Sequence, residues 1–193
     1  MQRVKKRGED TLNKYGVEPA LAFSVVFPEM VRFSIISDFI EVTALKIFYI
    51  NFGKEYSDFS VGRFQMKPSF LENLESHINM IENNELADFL KNTGAEGKEQ
   101  RVNRLIKLDR IESQIKILAC FVLIVQKKFE SQLAKMSKIE KLRFIATAYN
   151  YGFHNSFEYL NKRVNQKIFP NGAKTNKTKY CYADISEYFY SRY

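Results

Sequence analysis

The chain is predicted to be all-α, on three observations. Pro and Gly are sparse, four and eight in 193 residues, which suits helices better than the turn-rich sandwich or barrel. Apolar residues recur at helical spacing, and no stretch shows the period-2 alternation of half-buried strands. Residues 115–125 (IKILACFVLIV) form an apolar run flanked by lysines. That run is shorter than the roughly 18 residues of a membrane span, so it reads as a buried helix. The length fits one domain with short appendages. The expected division is a basic segment over 1–16, a main domain over 17–170 and a polar, aromatic tail over 171–193.

The elements follow in order. Residues 9–15 form a short helical turn. Glu18-Pro19 opens the next helix, because Pro in a first turn loses no hydrogen bond; this helix runs through Ala20 and Val26 toward Pro28-Glu29. A second apolar segment covers 34–52, with Phe39, Ile40, Leu45, Ile47, Phe48 and Ile50 as buried positions, and Gly53 ends it. Residues 54–65 are a loop. Helix resumes after Pro68, with Ser69 as cap for 71–79, and 84–91 form a short helix. Residues 92–98 are a loop, 99–133 one or two long helices, and 138–150 and 154–165 helical again. Pro170-Asn171-Gly172 is a turn, and 173–193 are expected to wrap the surface.

The net charge of +8 calls for an anionic partner or a basic tail. Arg3, Lys5, Lys6 and Arg7 cluster at the start, whereas later charges alternate in sign, as in Lys98-Glu99-Gln100-Arg101. No nucleic-acid partner is therefore expected. Cys120 falls in the apolar run and Cys181 among tyrosines, with no C-x-x-C pair; His77 and His154 are the only histidines. No metal site and no cofactor are expected. The basic N-terminus is not followed by an apolar h-region or a small-residue cleavage site.

Two stretches carry chemistry. The first is Ser60-Val61-Gly62-Arg63-Phe64-Gln65-Met66-Lys67-Pro68-Ser69; the second is Ala146-Thr147-Ala148-Tyr149-Asn150-Tyr151-Gly152. The first resembles the S-x-x-G-L-M-Q-x-x-P segment of lytic transglycosylases and goose-type lysozymes, and the second their A-x-x-A-Y-N-x-G segment. The resemblance covers residues 17–165. It implies a lysozyme-like helical domain with a substrate cleft, an activity that cleaves peptidoglycan glycan strands, and an exported, periplasmic location reached by a route the chain does not display. It also implies that Ser60 sits near the acid, that Gln65 binds substrate, and that the Tyr149 hydroxyl reaches the catalytic Glu. Asn150 and Gly152 then shape the following turn. Some of the eleven Tyr would line a sugar groove; Phe64, in place of the family's Met or Leu, is expected to pack, and with Tyr149 to wall the cleft. Arg63 stands where the family has Leu, and Tyr151 where it has Ala.

Glycosidic cleavage needs a carboxylic acid still protonated near neutral pH, hence one partly removed from water. The resemblance implies a single Glu upstream of the Gln65 loop. Glu29, at the end of Leu21-Ala22-Phe23-Ser24-Val25-Val26-Phe27-Pro28, fits the pattern of an apolar helix running into its acid. Glu41 is the competitor: it is closer to Gln65 in sequence but sits inside an apolar helical segment. Glu29 is preferred, with Arg32 one turn on to orient it or hold an anion. Asp58 is either the second carboxylate of a hydrolase or a loop carboxylate bonding local N–H groups. His154 reads as a surface residue. A lytic transglycosylase is expected ahead of a lysozyme-type hydrolase; the alternative is a lysozyme-like domain that binds glycan or a partner without cleaving.

Overall fold

The computed structural model describes the backbone of residues 2–35, 39–94, 97–170 and 178–193, and the side chains of 6–33, 43–94, 97–170 and 178–193. The helices among them are α1 (Gln2–Lys14), α2 (Pro19–Ile35), α3 (Phe39–Phe52), α4 (Pro68–Glu75), α5 (Asn84–Leu90), α6 (Lys98–Asp109), α7 (Ile111–Lys128), α8 (Glu130–Leu133), α9 (Lys138–Tyr151), α10 (Phe157–Asn161) and α11 (Tyr182–Tyr190). Two short strands, β1 (Lys167–Phe169) and β2 (Tyr180–Cys181), pair antiparallel. The protein is mostly helical, as composition and periodicity require.

Helix α7 is the axis. Ile115, Ile117, Leu118, Phe121, Val122, Ile124 and Val125 are all buried, and helices α1, α2, α4, α5, α6, α8 and α9 pack around it. A helix apolar on every side is stable in water only when surrounded, and burying each large side chain contributes roughly 1.5–3 kcal/mol. Cys120 lies in this core as a free thiol, pushed up to about 12 by burial, which leaves it unreactive. Helix α9 starts at a capping box in which Ser137 and Glu140 exchange side-chain-to-backbone bonds. Among the described residues, no helix is long and apolar enough to cross a membrane, and no His/Cys/Asp/Glu group could hold a metal.

Several elements differ from expectation. Helix α1 spans 13 residues rather than one turn; Leu12, with Tyr15 just beyond it, is buried. Helix α2 continues through Pro28 to Ile35, so Glu29 lies inside a helix rather than at its end. Among the described side chains of α3, Tyr49 is the buried one, while Ile47 and Phe48 are more than half exposed. The helix is apolar nearly all round, so composition could not fix which stripe faces inward. The side chains of Phe39, Ile40 and Glu41 lie outside the described residues. Residue 99–133 helicity divides into α6, α7 and α8, and over 154–165 only α10 is α-helical. Ser69 does not cap α4. Pro68 is its first residue, and Asp58 accepts from the Ser69 N–H at 3.0 Å and the Ser69 hydroxyl at 2.8 Å.

The largest difference is at the C-terminus. Asn171 and Gly172 of the expected turn lie outside the described residues. Residues 182–190, however, form α11, which packs on α2 and α9 rather than trailing over the surface. Phe27 stacks on Phe189 with ring centroids 4.0 Å apart. Arg143 of α9 binds Asp184 and Glu187. The buried Tyr182 hydroxyl donates to the Val25 carbonyl at 3.0 Å, one turn before Glu29. Tyr182→Phe removes that donor from a buried carbonyl. We expect a cost of about 1 kcal/mol and a Tm lowered by ~2–4 °C in thermal denaturation; an unchanged Tm would mean that α11 does not hold α2.

Candidate active site

A cleft of about 310 Å³ lies between the turn of α2 that carries Glu29, the loop before α4, and the end of α9. Glu29, Ser60, Gln65, Tyr149 and Asn150 all line it, joined by Arg32, Asp58, Lys67, Phe70 and Asn73. Five of the six residues singled out from sequence therefore meet in one concavity. The sixth, Gly62, lies behind its wall.

The loop explains why Gly62 must be Gly. Residues 61–66 close on themselves: Val61 N–H donates to Met66 C=O at 2.8 Å, and Met66 N–H returns to Val61 C=O at 3.2 Å. Gly62 takes φ +69°, and a Cβ there would lie 1.7 Å from Gln114 Nε2. Gln114 is a buried amide on α7, 1% exposed. It accepts from Phe64 N–H at 3.0 Å and donates to Leu108 C=O at 2.6 Å. On the other side, the Tyr149 hydroxyl donates to Phe64 C=O at 2.7 Å. Both backbone polar groups of Phe64 are thus held by side chains from different helices. Gln65, next in the chain, has φ +52°, a conformation that non-Gly residues keep only when their surroundings enforce it. Its side-chain N–H donates to Gly62 C=O at 2.9 Å, which directs the amide across the loop.

Three expected roles change. The Tyr149 hydroxyl gives its proton to Phe64 rather than to Glu29, although the Glu29 charge still raises its pKa after burial itself. Phe64 is buried at 1% exposure, with its ring edge-on to Phe23. It is therefore core and not cleft wall; Phe70, against Tyr149 and Phe121, takes that place. Asn150 faces the cleft, and the turn after α9 is shaped by Gly152 and Asn155. Asn155 donates to the Tyr151 and Gly152 carbonyls, each at 2.9 Å. His154 lines the cleft mouth and is exposed, and Arg63 is exposed.

Glu29 stands apart electrostatically. It is the one buried carboxylate among the described residues, 8% exposed, and its Oε2 has no hydrogen-bond partner. Arg32 Nη1 lies 3.5 Å from that oxygen, an ion-pair distance without hydrogen-bond geometry. Removing a carboxylate from water costs several kcal/mol. A half-open ion pair offsets part of that, so burial dominates and raises the Glu29 pKa above the ordinary value, while Arg32 and then Lys67 act in the opposite direction. The native state thus holds this proton more readily than the unfolded chain does. The stability gained by staying protonated is present at low pH and lost as pH rises through the native pKa. The other poorly exposed carboxylates, Glu72 and Glu75, are ion-paired to Arg104, and Glu72 also accepts from Tyr49. A larger groove, about 560 Å³ and lined by Leu21, Leu123 and Leu133, has Glu82 and Glu130 only as exposed rim charges. Asp58 is committed to Ser69, with Lys67 3.5 Å away, as a loop carboxylate would be.

Gln114, Phe70 and Lys67 were not singled out from sequence. Gln114 carried a signal: it shares a helical face with Leu118, Phe121 and Val125, a polar residue on an apolar stripe. No family model matches the chain, and neither the curated proteins nor the solved structures contain a match.

Gly62→Ala combines left-handed strain with overlap onto Gln114. We expect a loss of about 2–4 kcal/mol in urea denaturation; a loss below about 1 kcal/mol would mean that the loop relaxes freely away from α7.

Proposed function

We propose that the protein is a lysozyme-like enzyme that cleaves peptidoglycan glycan strands, with Glu29 as its acid and lytic transglycosylation as its reaction. The observation that carries this reading is the buried Glu29 carboxyl, with a raised pKa and an Oε2 that lacks a hydrogen-bond partner, facing the same cleft as Gln65 and Tyr149. A general acid needs that environment to keep its proton near neutral pH. The glycan-binding alternative needs no buried acid, and burying one without use is unfavourable.

The steps follow from the groups present. Protonated Glu29 gives its proton to the glycosidic oxygen as the bond from the anomeric carbon breaks. The resulting carboxylate then takes the proton of the sugar's 6-hydroxyl. That oxygen bonds to the anomeric carbon and closes a 1,6-anhydro ring. One carboxyl suffices, and Asp58, held by the Ser69 N–H and hydroxyl, is poorly available as the second carboxylate of a hydrolase. Phe70, Tyr149 and Phe153 line the cleft and disfavour water, the competing nucleophile. Ser60, Asn73 and Asn150 present polar groups for sugar hydroxyls. A cell-wall substrate places the protein outside the cytoplasmic membrane.

Glu29→Gln should lower cleavage of purified peptidoglycan about 10²–10⁴-fold or more while the fold persists by circular dichroism, and Glu41→Gln should stay active. Mass spectrometry of the products should find 1,6-anhydro-muramic ends, one water lighter than reducing ends. Exclusively reducing ends would make the enzyme a hydrolase, and an active Glu29→Gln protein would remove Glu29 as the acid.

A further inference from the structure

The groove of about 560 Å³ is larger than the Glu29 cleft and shares no lining residue with it. Its volume falls within the roughly 300–1,000 Å³ of small-ligand sites. Leu21 of α2, Leu133 of α8 and Ile145 of α9 form its floor, each at most 6% exposed, and the part-buried Met80 and Leu123 stand beside them. Apolar surface recessed in this way suits a slender apolar group that enters the groove. A flat bilayer would need apolar side chains that protrude.

Most polar groups around the groove are already engaged. The Tyr15 hydroxyl donates to Glu85 at 2.6 Å, and the Asn83 side chain accepts from Leu86 N–H at 3.0 Å. Lys127 lies 3.6 Å from both Glu82 and Glu130, and Gln126 is exposed. A peptide laid in the groove would find few partners for its backbone N–H and C=O groups, and burying them unpaired is unfavourable. A hydrocarbon chain has no such need. Lys141 is the exception among the polar groups. It is part-buried and lines the groove, and its ammonium makes no hydrogen bond or ion pair with a described residue. The other part-buried cations of the helices each have such a partner. Lys141 also stands near the N-terminus of α9, where its charge adds to the positive end of the helix dipole. The neighbouring Glu140 is held by Ser137 in the capping box.

We propose that this groove binds a free single-chain amphiphile with an anionic head, a carboxylate of the fatty-acid type. Its chain covers Leu21, Leu133 and Ile145, and its head meets Lys141. Burial of apolar surface on both sides supplies the affinity, and the charge-assisted contact with the ammonium selects the head. Glu82 and Glu130 are the acids at the rim, and Lys127 between them offsets part of their repulsion of an anion. The site is independent of the glycan-cleavage reading, because no residue of the Glu29 cleft takes part.

The test is calorimetric titration of monomeric decanoate, decyltrimethylammonium and acetate into the full chain, with methyl NMR to locate the ligand. Decanoate should bind at one site and shift the methyl resonances of Leu123, Leu133 and Ile145. The cationic amphiphile of equal chain length should bind at least about tenfold more weakly, and acetate should give no detectable binding. Lys141→Gln should remove the preference for decanoate, Lys141→Glu should reverse it, and circular dichroism should show both variants folded. Glu29→Gln should bind decanoate as the wild type does. No binding of decanoate, equal affinity for the two head groups, shifts scattered outside the groove, or an undiminished preference in Lys141→Gln overturns the site. Loss of binding in Glu29→Gln would place the ligand in the other cleft and overturns it equally.

Discussion

The cleft depends on how Phe64 is held. Its N–H is bound by Gln114 from α7 and its C=O by Tyr149 from α9, and its ring is buried beneath the loop. Each hydrogen bond is worth about 1 kcal/mol net, but an orphaned buried partner costs ~1–3 kcal/mol. The loop therefore cannot shift without leaving polar groups stranded on two helices. That fixation sustains the positive φ of Gln65 and requires Gly at 62, where any side chain would collide with Gln114. Two helices of the core thus determine where the Gln65 amide sits. The aromatic contacts among Phe70, Phe121, Tyr149 and Phe153 keep α4, α7 and α9 in the register this requires.

The opposite wall is fixed in a different way. Helix α2 runs through Pro28, which has no N–H to offer the Ser24 carbonyl. Tyr182 supports the neighbouring Val25 carbonyl from α11, and the Phe27–Phe189 stack holds the same turn from outside. Glu29 follows directly, with a desolvation penalty that its ion pair offsets only in part. A protein optimised for stability alone would replace such a group with an apolar one. A buried acid retained in a cleft beside a cation is an arrangement that functional sites often use, which is what supports the proposed role of Glu29.

Legibility in the sequence followed physical range. Ser60, Gly62, Gln65, Tyr149 and Asn150 stood out through the resemblance of their two short stretches to known family segments, not through a local physical rule. The all-helical character was legible in composition and period, and the buried 115–125 run in its length and flanks. Gln114, Phe70 and Lys67 acquire meaning only through partners far away in the chain. The inward stripe of α3 was unreadable because the helix is apolar on nearly every side, and its Ile47 and Phe48 face outward. The C-terminal residues looked like a tail because their many tyrosines are polar at one end. Yet Tyr182 buries its ring and directs its hydroxyl to one backbone carbonyl, a contact no local pattern announces.

The central claim is that burial raises the pKa of the Glu29 carboxyl above the ordinary carboxylate value. Carbon-13 labelling of glutamate side chains, with the Glu29 resonance assigned by its absence from Glu29→Gln, reads that titration directly in solution. The account predicts a Glu29 midpoint above the reference value of about 4.3 and above those of the exposed glutamates in the same spectrum. Substitution of Arg32 by Gln should raise it further, because the guanidinium charge favours the ionised form. A midpoint at or below the exposed glutamates would contradict the account, since Glu29 would then be an ion-paired carboxylate of α2 with no proton to give.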